Sequence, residues 1–164
     1  MKQVAPDKYT IAWFKLAECV SRGERERALG VYRLLAHSIG NPAFESQLEG
    51  DLYLSFQDTH TALAKYHEAV KLYRQSGRIL EAAAVFEHIV TLDPHTYTHH
   101  QQIIELYHQL RLSRKAQEHI ARALELMTHS GQDAQLEELL TFLDGLGSEY
   151  ADYATEILFS QTKI

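Results

Sequence analysis

A chain of 164 residues with 45% apolar composition can bury a core of its own, so neither a disulfide nor a metal staple is required. Its net charge of −6 is not the basic footprint of a nucleic-acid binder, and its single cysteine, Cys19, has no internal disulfide partner, which suits a reducing, cytoplasmic setting. No stretch approaches the roughly 18 uninterrupted apolar residues of a membrane span, and the first ten residues lack the apolar core of a signal peptide.

Residues 1–9 read as a tail. Beyond them apolar side chains recur with helical periodicity, and the three prolines, Pro6, Pro42 and Pro94, fall where that periodicity stops. Most glycines mark similar seams, at Gly23, Gly40, Gly77, Gly131, Gly145 and Gly147, with Gly30 and Gly50 inside helices. Helices are expected near 9–22, 24–39, 43–56, 59–76, 78–92, 95–110, 113–129, 133–143 and 148–160. No segment alternates apolar and polar residues over a strand length, so the expected class is all-α with about nine helices. Helices this short are marginal alone, and short turns between them force neighbours to pack antiparallel.

The pairs repeat. Residues 10–42 carry Trp13, Leu16, Ala17 and Val20, then Ala28, Tyr32 and Leu35, and end at Pro42. Residues 43–76 carry Gly50 and Tyr53, then Ala62, Tyr66 and Ala69. The window 63–96 shows Tyr66, Ala69, Val70 and Tyr73, then Ala82, Phe86 and Ile89, and closes with Pro94. A shift of 34 residues brings up His100, Ile103, Ile104 and Tyr107, then Ala116, Ile120 and Ala123, over 97–130. Fainter stripes follow at Leu136, Leu139, Leu140 and Leu143, and at Tyr150, Tyr153, Ala154, Ile157 and Leu158.

This spacing resembles the tetratricopeptide repeat, in which small residues let two helices approach, large ones fill the gap and a proline stops the second helix. The resemblance covers roughly 10–130. It implies a right-handed superhelical stack of antiparallel helix pairs, an α-solenoid, with capping helices over 131–164. Glu137, Glu138, Asp144, Glu149, Asp152 and Glu156 would give that cap a polar outer face. Because the windows 43–76 and 63–96 overlap, the helix at 59–76 scores as the second of one pair and the first of the next. Which helices line the concave face is therefore open.

Such a stack presents an extended groove, so the resemblance implies a protein-interaction module, a scaffold holding a peptide or helix of a partner. Exposed positions on first helices of the 34-residue frame would be Ala64, His67, Lys71, Arg74 and Gln75, then Thr98, Gln101, Glu105, His108 and Gln109. Among them His67, Lys71, Arg74, Gln101, Glu105 and His108 are the candidate partner-binding residues, with an ordinary solvated helix face as the plain alternative. Capture of a terminal carboxylate through paired Asn and Lys side chains is not expected, since the one asparagine, Asn41, lies in a turn. A second reading is a small acidic chaperone for a secreted or assembling client, which tetratricopeptide proteins of this length also resemble.

Charge is graded along the chain. Residues 1–42 hold seven basic and four acidic residues, a net +3; residues 43–130 are at −3, and residues 131–164 at −6 with one base against seven acids. Solvated helix faces with a chance imbalance are the plain reading of this gradient; a basic protein or peptide partner at the acidic end, or head-to-tail self-association into a homo-oligomer, is the other. A nucleic acid would be repelled by that end, and no membrane partner is expected.

Ten histidines stand out, among them His95, His99, His100 and His108. His95 and His99 lie one turn apart and could share a metal, yet Asp93 is the only close carboxylate and no cysteine is near, short of the three or four ligands zinc requires. His67 and His108 could make a groove pH-sensitive. Cys19 with His37 could form a thiol–imidazole pair, but Cys19 shares an apolar helix face with Leu16 and Val20 and reads as core. No catalytic residue, metal site or cofactor is assigned, and the chain is not read as an enzyme.

Overall fold

The computed structural model of the chain describes residues 8–131 and 133–161, so most of the expected tail at 1–9 lies outside the described residues. Among the described residues are nine α-helices and no strand, in keeping with the all-α expectation: α1 (Lys8–Ser21), α2 (Arg25–Ile39), α3 (Pro42–Ser55), α4 (Thr59–Gln75), α5 (Ile79–Leu92), α6 (Tyr97–Gln109), α7 (Ser113–Ser130), α8 (Asp133–Leu146) and α9 (Ser148–Gln161). Gly145, expected at a seam, lies inside α8; the positive-φ residue that ends it is Gly147. The helices form two compact units, Met1–Ser76 and Gly77–Ile164, and the boundary falls within the window 63–96.

In the first unit α1 packs along α2, α2 along α3 and α3 along α4. The two hairpins use one turn. At the first, Gly23 has φ 71°, its N–H donates to the Val20 carbonyl at 3.0 Å, and the Glu24 N–H donates to the Cys19 carbonyl at 2.9 Å. At the second, 34 residues on, Gln57 has φ 63°, its N–H donates to Leu54 at 2.9 Å, and the Asp58 N–H donates to Tyr53 at 3.1 Å. This left-handed helix stop pairs the last carbonyls of one helix and aims the chain back along it. Asn41 then starts α3: its side chain accepts from the Phe44 N–H at 3.3 Å, and Pro42 occupies the first turn where its missing donor costs nothing. Asp58 starts α4 likewise, accepting from the Thr61 N–H at 3.2 Å.

Ala28 and Ala62, 34 residues apart, are wholly buried, as are Tyr32 and Tyr66 at the same spacing. Cys19 sits in a cluster with Leu16, Ala28, Leu29, Tyr32, Leu35 and Leu52, the core place expected of it. Each such large apolar side chain contributes about 1.5–3 kcal/mol by leaving water. Gly50, Ala69 and Tyr73 are buried too, while Tyr53 is half-buried. Trp13 departs from this pattern at 39% exposure. Its ring lines an open recess between α1 and α3, with Leu16, Val20, Leu48 and Leu52, and so keeps part of its surface in water.

In the second unit α6 packs on α5, α7 and α8, and α7 on α8 and α9, so a helix meets both its neighbour and the next but one. The turn recurs at Arg111, φ 56°, whose N–H donates to His108 at 2.9 Å while the Leu112 N–H donates to Tyr107 at 2.9 Å. Ala82 and Ala116 are wholly buried at a 34-residue spacing, and Phe86 and Ile120 repeat the relation with large side chains. Ala123 and Tyr107 are buried; Pro94 is half-buried in the α5–α6 connection.

Candidate functional site

The six candidate partner-binding residues divide evenly between the units. His67, Lys71 and Arg74 project from α4 at spacings of four and three, which places them on one helix face; Lys71 and Arg74 are exposed and His67 is half-buried. Gln101, Glu105 and His108 repeat that spacing on α6, and all three are half-buried. His108 is turned toward α9, its Nδ1 3.4 Å from the Tyr150 hydroxyl and its ring edge-on to the tyrosine at 5.6 Å. Glu105 accepts from the Gln109 amide at 3.3 Å.

Gln101 is the candidate that opens onto a cleft. Between α6 and α8 it faces a recess of about 620 Å³ walled by Ala134, Glu137, Glu138, Thr141 and Phe142. The Gln101 amide donates to the Tyr97 hydroxyl one turn earlier, which holds the side chain against the α6 wall. Burial, together with the Glu138 carboxylate, pushes the Tyr97 phenol up to about 12, so the oxygen that accepts from Gln101 belongs to a neutral hydroxyl. Glu137 and Glu138 are exposed at the cleft; Asp144, farther along α8, and Glu149, Asp152 and Glu156 of α9 are exposed too, outside its lining. Residues 123–162 contain eight carboxylates and no Lys or Arg, so their field is not cancelled by neighbours along the chain.

The first unit has a smaller apolar recess of about 210 Å³, walled by Trp13, Leu16, Val20, Leu48 and Leu52 with Asp51 among the polar groups. Tyr66 donates to Asp51 Oδ1 at 2.7 Å and so fixes that carboxylate. Phe14 on α1 is 72% exposed.

A partly buried polar cluster in the second unit is the feature that sequence reasoning missed. Glu87 of α5 accepts from the Tyr107 hydroxyl of α6 at 2.6 Å and lies 3.0 Å from His119 Nε2 of α7; the imidazole stacks on the Tyr107 ring at 5.6 Å. Burial works to raise the Glu87 pKa, but the bonds from Tyr107 and His119 hold its carboxyl below the ordinary value. His99 packs edge-on to Phe86 and places Nδ1 3.6 Å from the Asp93 carboxylate, and His100 is buried beside it. The signal was in the spacing: 99, 100, 103, 104 and 107 make one inward stripe, and 116, 119, 120 and 123 another. His95 is exposed while His99 is buried, and among the described residues no group of three or more His, Cys, Asp or Glu is placed to hold a metal ion.

What the described residues define is an all-α protein assembled from repeated helical hairpins. No protein-family model matches the chain, and no curated protein matches it. Solved structures similar to it are of MamA: a crystal structure of MamA protein at 15% identity, covering 94% of this chain and 92% of that one with a TM-score of 0.39, and MamA 41-end from Desulfovibrio magneticus RS-1 at 18% identity, covering 98% of each chain with a TM-score of 0.35. A MamA RS-1 ArsTM double mutant is similar at 18% identity, 98% and 100% coverage and a TM-score of 0.35. Likeness at this level carries nothing about what the chain binds.

Proposed function

We propose that the chain is a protein-interaction module whose α6–α8 cleft takes a basic segment of a partner protein. The observation that carries this reading is the cleft itself: a recess of about 620 Å³ with Gln101 on one wall and the exposed Glu137 and Glu138 on the other. Its walls are helices seated by Ile103, Ile104, Leu139 and Leu143, all fully buried, so the polar groups stand on a rigid frame. Phe142 offers an apolar surface for the stem of a Lys or Arg, and the carboxylates meet its charged head. Glu105 lies one turn along α6 from Gln101, outside the cleft lining, and is a separate candidate contact. The α4 row of His67, Lys71 and Arg74 is a separate candidate contact in the other unit.

The test is fluorescence anisotropy with a labelled Lys/Arg-rich helical peptide and an acidic peptide of equal length. Binding of the basic peptide alone, falling as salt rises, is the expected result. Glu137→Lys with Glu138→Lys should weaken it at least tenfold without loss of helicity; equal binding by parent and variant would remove the cleft from the account. Lys71→Glu with Arg74→Glu reads the α4 row independently.

A further inference from the structure

His100 is 1% exposed, on the inward side of α6. Its Nε2 lies 2.6 Å from the Pro94 carbonyl in the α5–α6 connection, and a carbonyl only accepts, so Nε2 carries the proton. Nδ1 is buried and has no partner. In the neutral ring that atom is a bare lone pair; in the cation it is an N–H with nothing to receive it, in a site that water does not reach.

The groups around it sharpen the point. His119 of α7, whose own Nδ1 is also buried without a partner, has the Glu87 carboxylate of α5 at 3.0 Å. His99 of α6 has Asp93, the α5 cap, at 3.6 Å, and Asp93 is held in place by the Thr96 hydroxyl at 2.7 Å. Both of these imidazoles have a carboxylate to balance a positive charge. His100 has only the Pro94 carbonyl, and the charges that act on it from α6 and α7 are His99, His119 and Arg122, which repel a cation. The Glu87 carboxylate of α5 and Glu118 of α7 bear on Tyr107 of α6; Glu138 of α8 acts on Tyr97, and Tyr150 of α9 lies at His108.

We infer that His100 is an acid-sensitive latch of the second unit: the ring fits its site only as the neutral Nε2–H tautomer, and a proton on Nδ1 drives it out and releases the α5–α6 connection from α6. Burial first, then the like charges of His119, His99 and Arg122, lowers its pKa below the ordinary 6.5, against the Pro94 hydrogen bond, which acts to raise it. The unfolded chain therefore takes up this proton first as pH falls. Stability from His100 is complete above the unfolded value of 6.5 and is lost as pH falls from there through the lower folded value.

The experiment uses the full chain. Thermal unfolding followed by circular dichroism from pH 7.5 to 5.0 should show the unfolding equilibrium constant of the parent rising faster than that of His100→Gln, by up to about tenfold per pH unit, the limit set by one proton. His60→Gln, which removes an exposed imidazole, should follow the parent. Parallel curves for the parent and His100→Gln would overturn the inference. If His100→Gln does not fold, ring-¹⁵N NMR of the parent decides. A bare Nδ1 at pH 6, lost in more acid together with the native α6 signals, supports the latch. A charged His100 ring at pH 6 with those signals intact refutes it.

Discussion

A methyl group on Gly50 would stand 2.7 Å from Cε1 and 2.8 Å from Cδ1 of Tyr66, so the close approach of α3 and α4 exists only because position 50 has no side chain. Tyr66 cannot step aside, since its ring is 1% exposed and its hydroxyl is held by Asp51 at 2.7 Å. Overpacking of this kind costs about 1–3 kcal/mol, and the better helix propensity of alanine returns about 1 of that. Gly50→Ala should therefore destabilise the chain by up to about 2 kcal/mol in urea unfolding. A second substitution, Tyr66→Leu, should cost less in the Gly50→Ala background than in the parent; equal costs would mean that the ring is not what the methyl meets.

Two of the repeated turns place a side-chain-bearing residue in the left-handed region, Gln57 at φ 63° and Arg111 at φ 56°, where a third has Gly23 at φ 71°. That conformation costs a non-glycine residue about 1–2 kcal/mol. Gln57→Gly and Arg111→Gly should each stabilise by about 0.5–1 kcal/mol, after allowance for the greater freedom of glycine in the unfolded chain, and the two gains should add because the sites are far apart in sequence and in different units. Gly23→Ala should lose a similar amount. Denaturant midpoints check all three.

Glu87 stabilises the fold while ionised, because its folded pKa is lowered below the unfolded 4.5; that contribution is present above 4.5 and is lost as pH falls through the lower folded value. Tyr107→Phe removes one donor to it. Hydrogen bonds to charged groups are worth about 1.5–3 kcal/mol, and with Glu87 a third exposed the expected loss at neutral pH is about 1 kcal/mol. The fall in stability between pH 5 and 3 should also be shallower in Tyr107→Phe. An unchanged acid limb, measured by urea titration at each pH, would place the carboxylate's role elsewhere.

Ala82 is wholly buried on α5, at a point where a longer side chain has no exit to water. Ala82→Arg should destabilise the second unit by about 3 kcal/mol or more, since an unpaired charge would enter the helix seam. A variant that melts with the parent would mean the seam opens more easily than its packing implies.

The number of helices, their near boundaries and the 34-residue recurrence were legible in the sequence, because each is a local property. A left-handed stop, a proline that cannot continue a ladder and an inward stripe such as Ile103, Ile104 and Tyr107 act within a turn or two of the residues that encode them. Side chains that meet across helices were another matter. Glu87, Tyr107 and His119 come from three helices, and the cleft joins Gln101 to Glu138; no spacing along one helix announces such meetings, since they depend on how successive hairpins stack. Periodicity put His100 on an inward face, but only the tertiary structure decided that it has a lone carbonyl beside it while His119, which the sequence reading did not single out, has a carboxylate. Trp13 shows the converse: its spacing marks it for the core, and its place on an open recess between α1 and α3 leaves it partly in water.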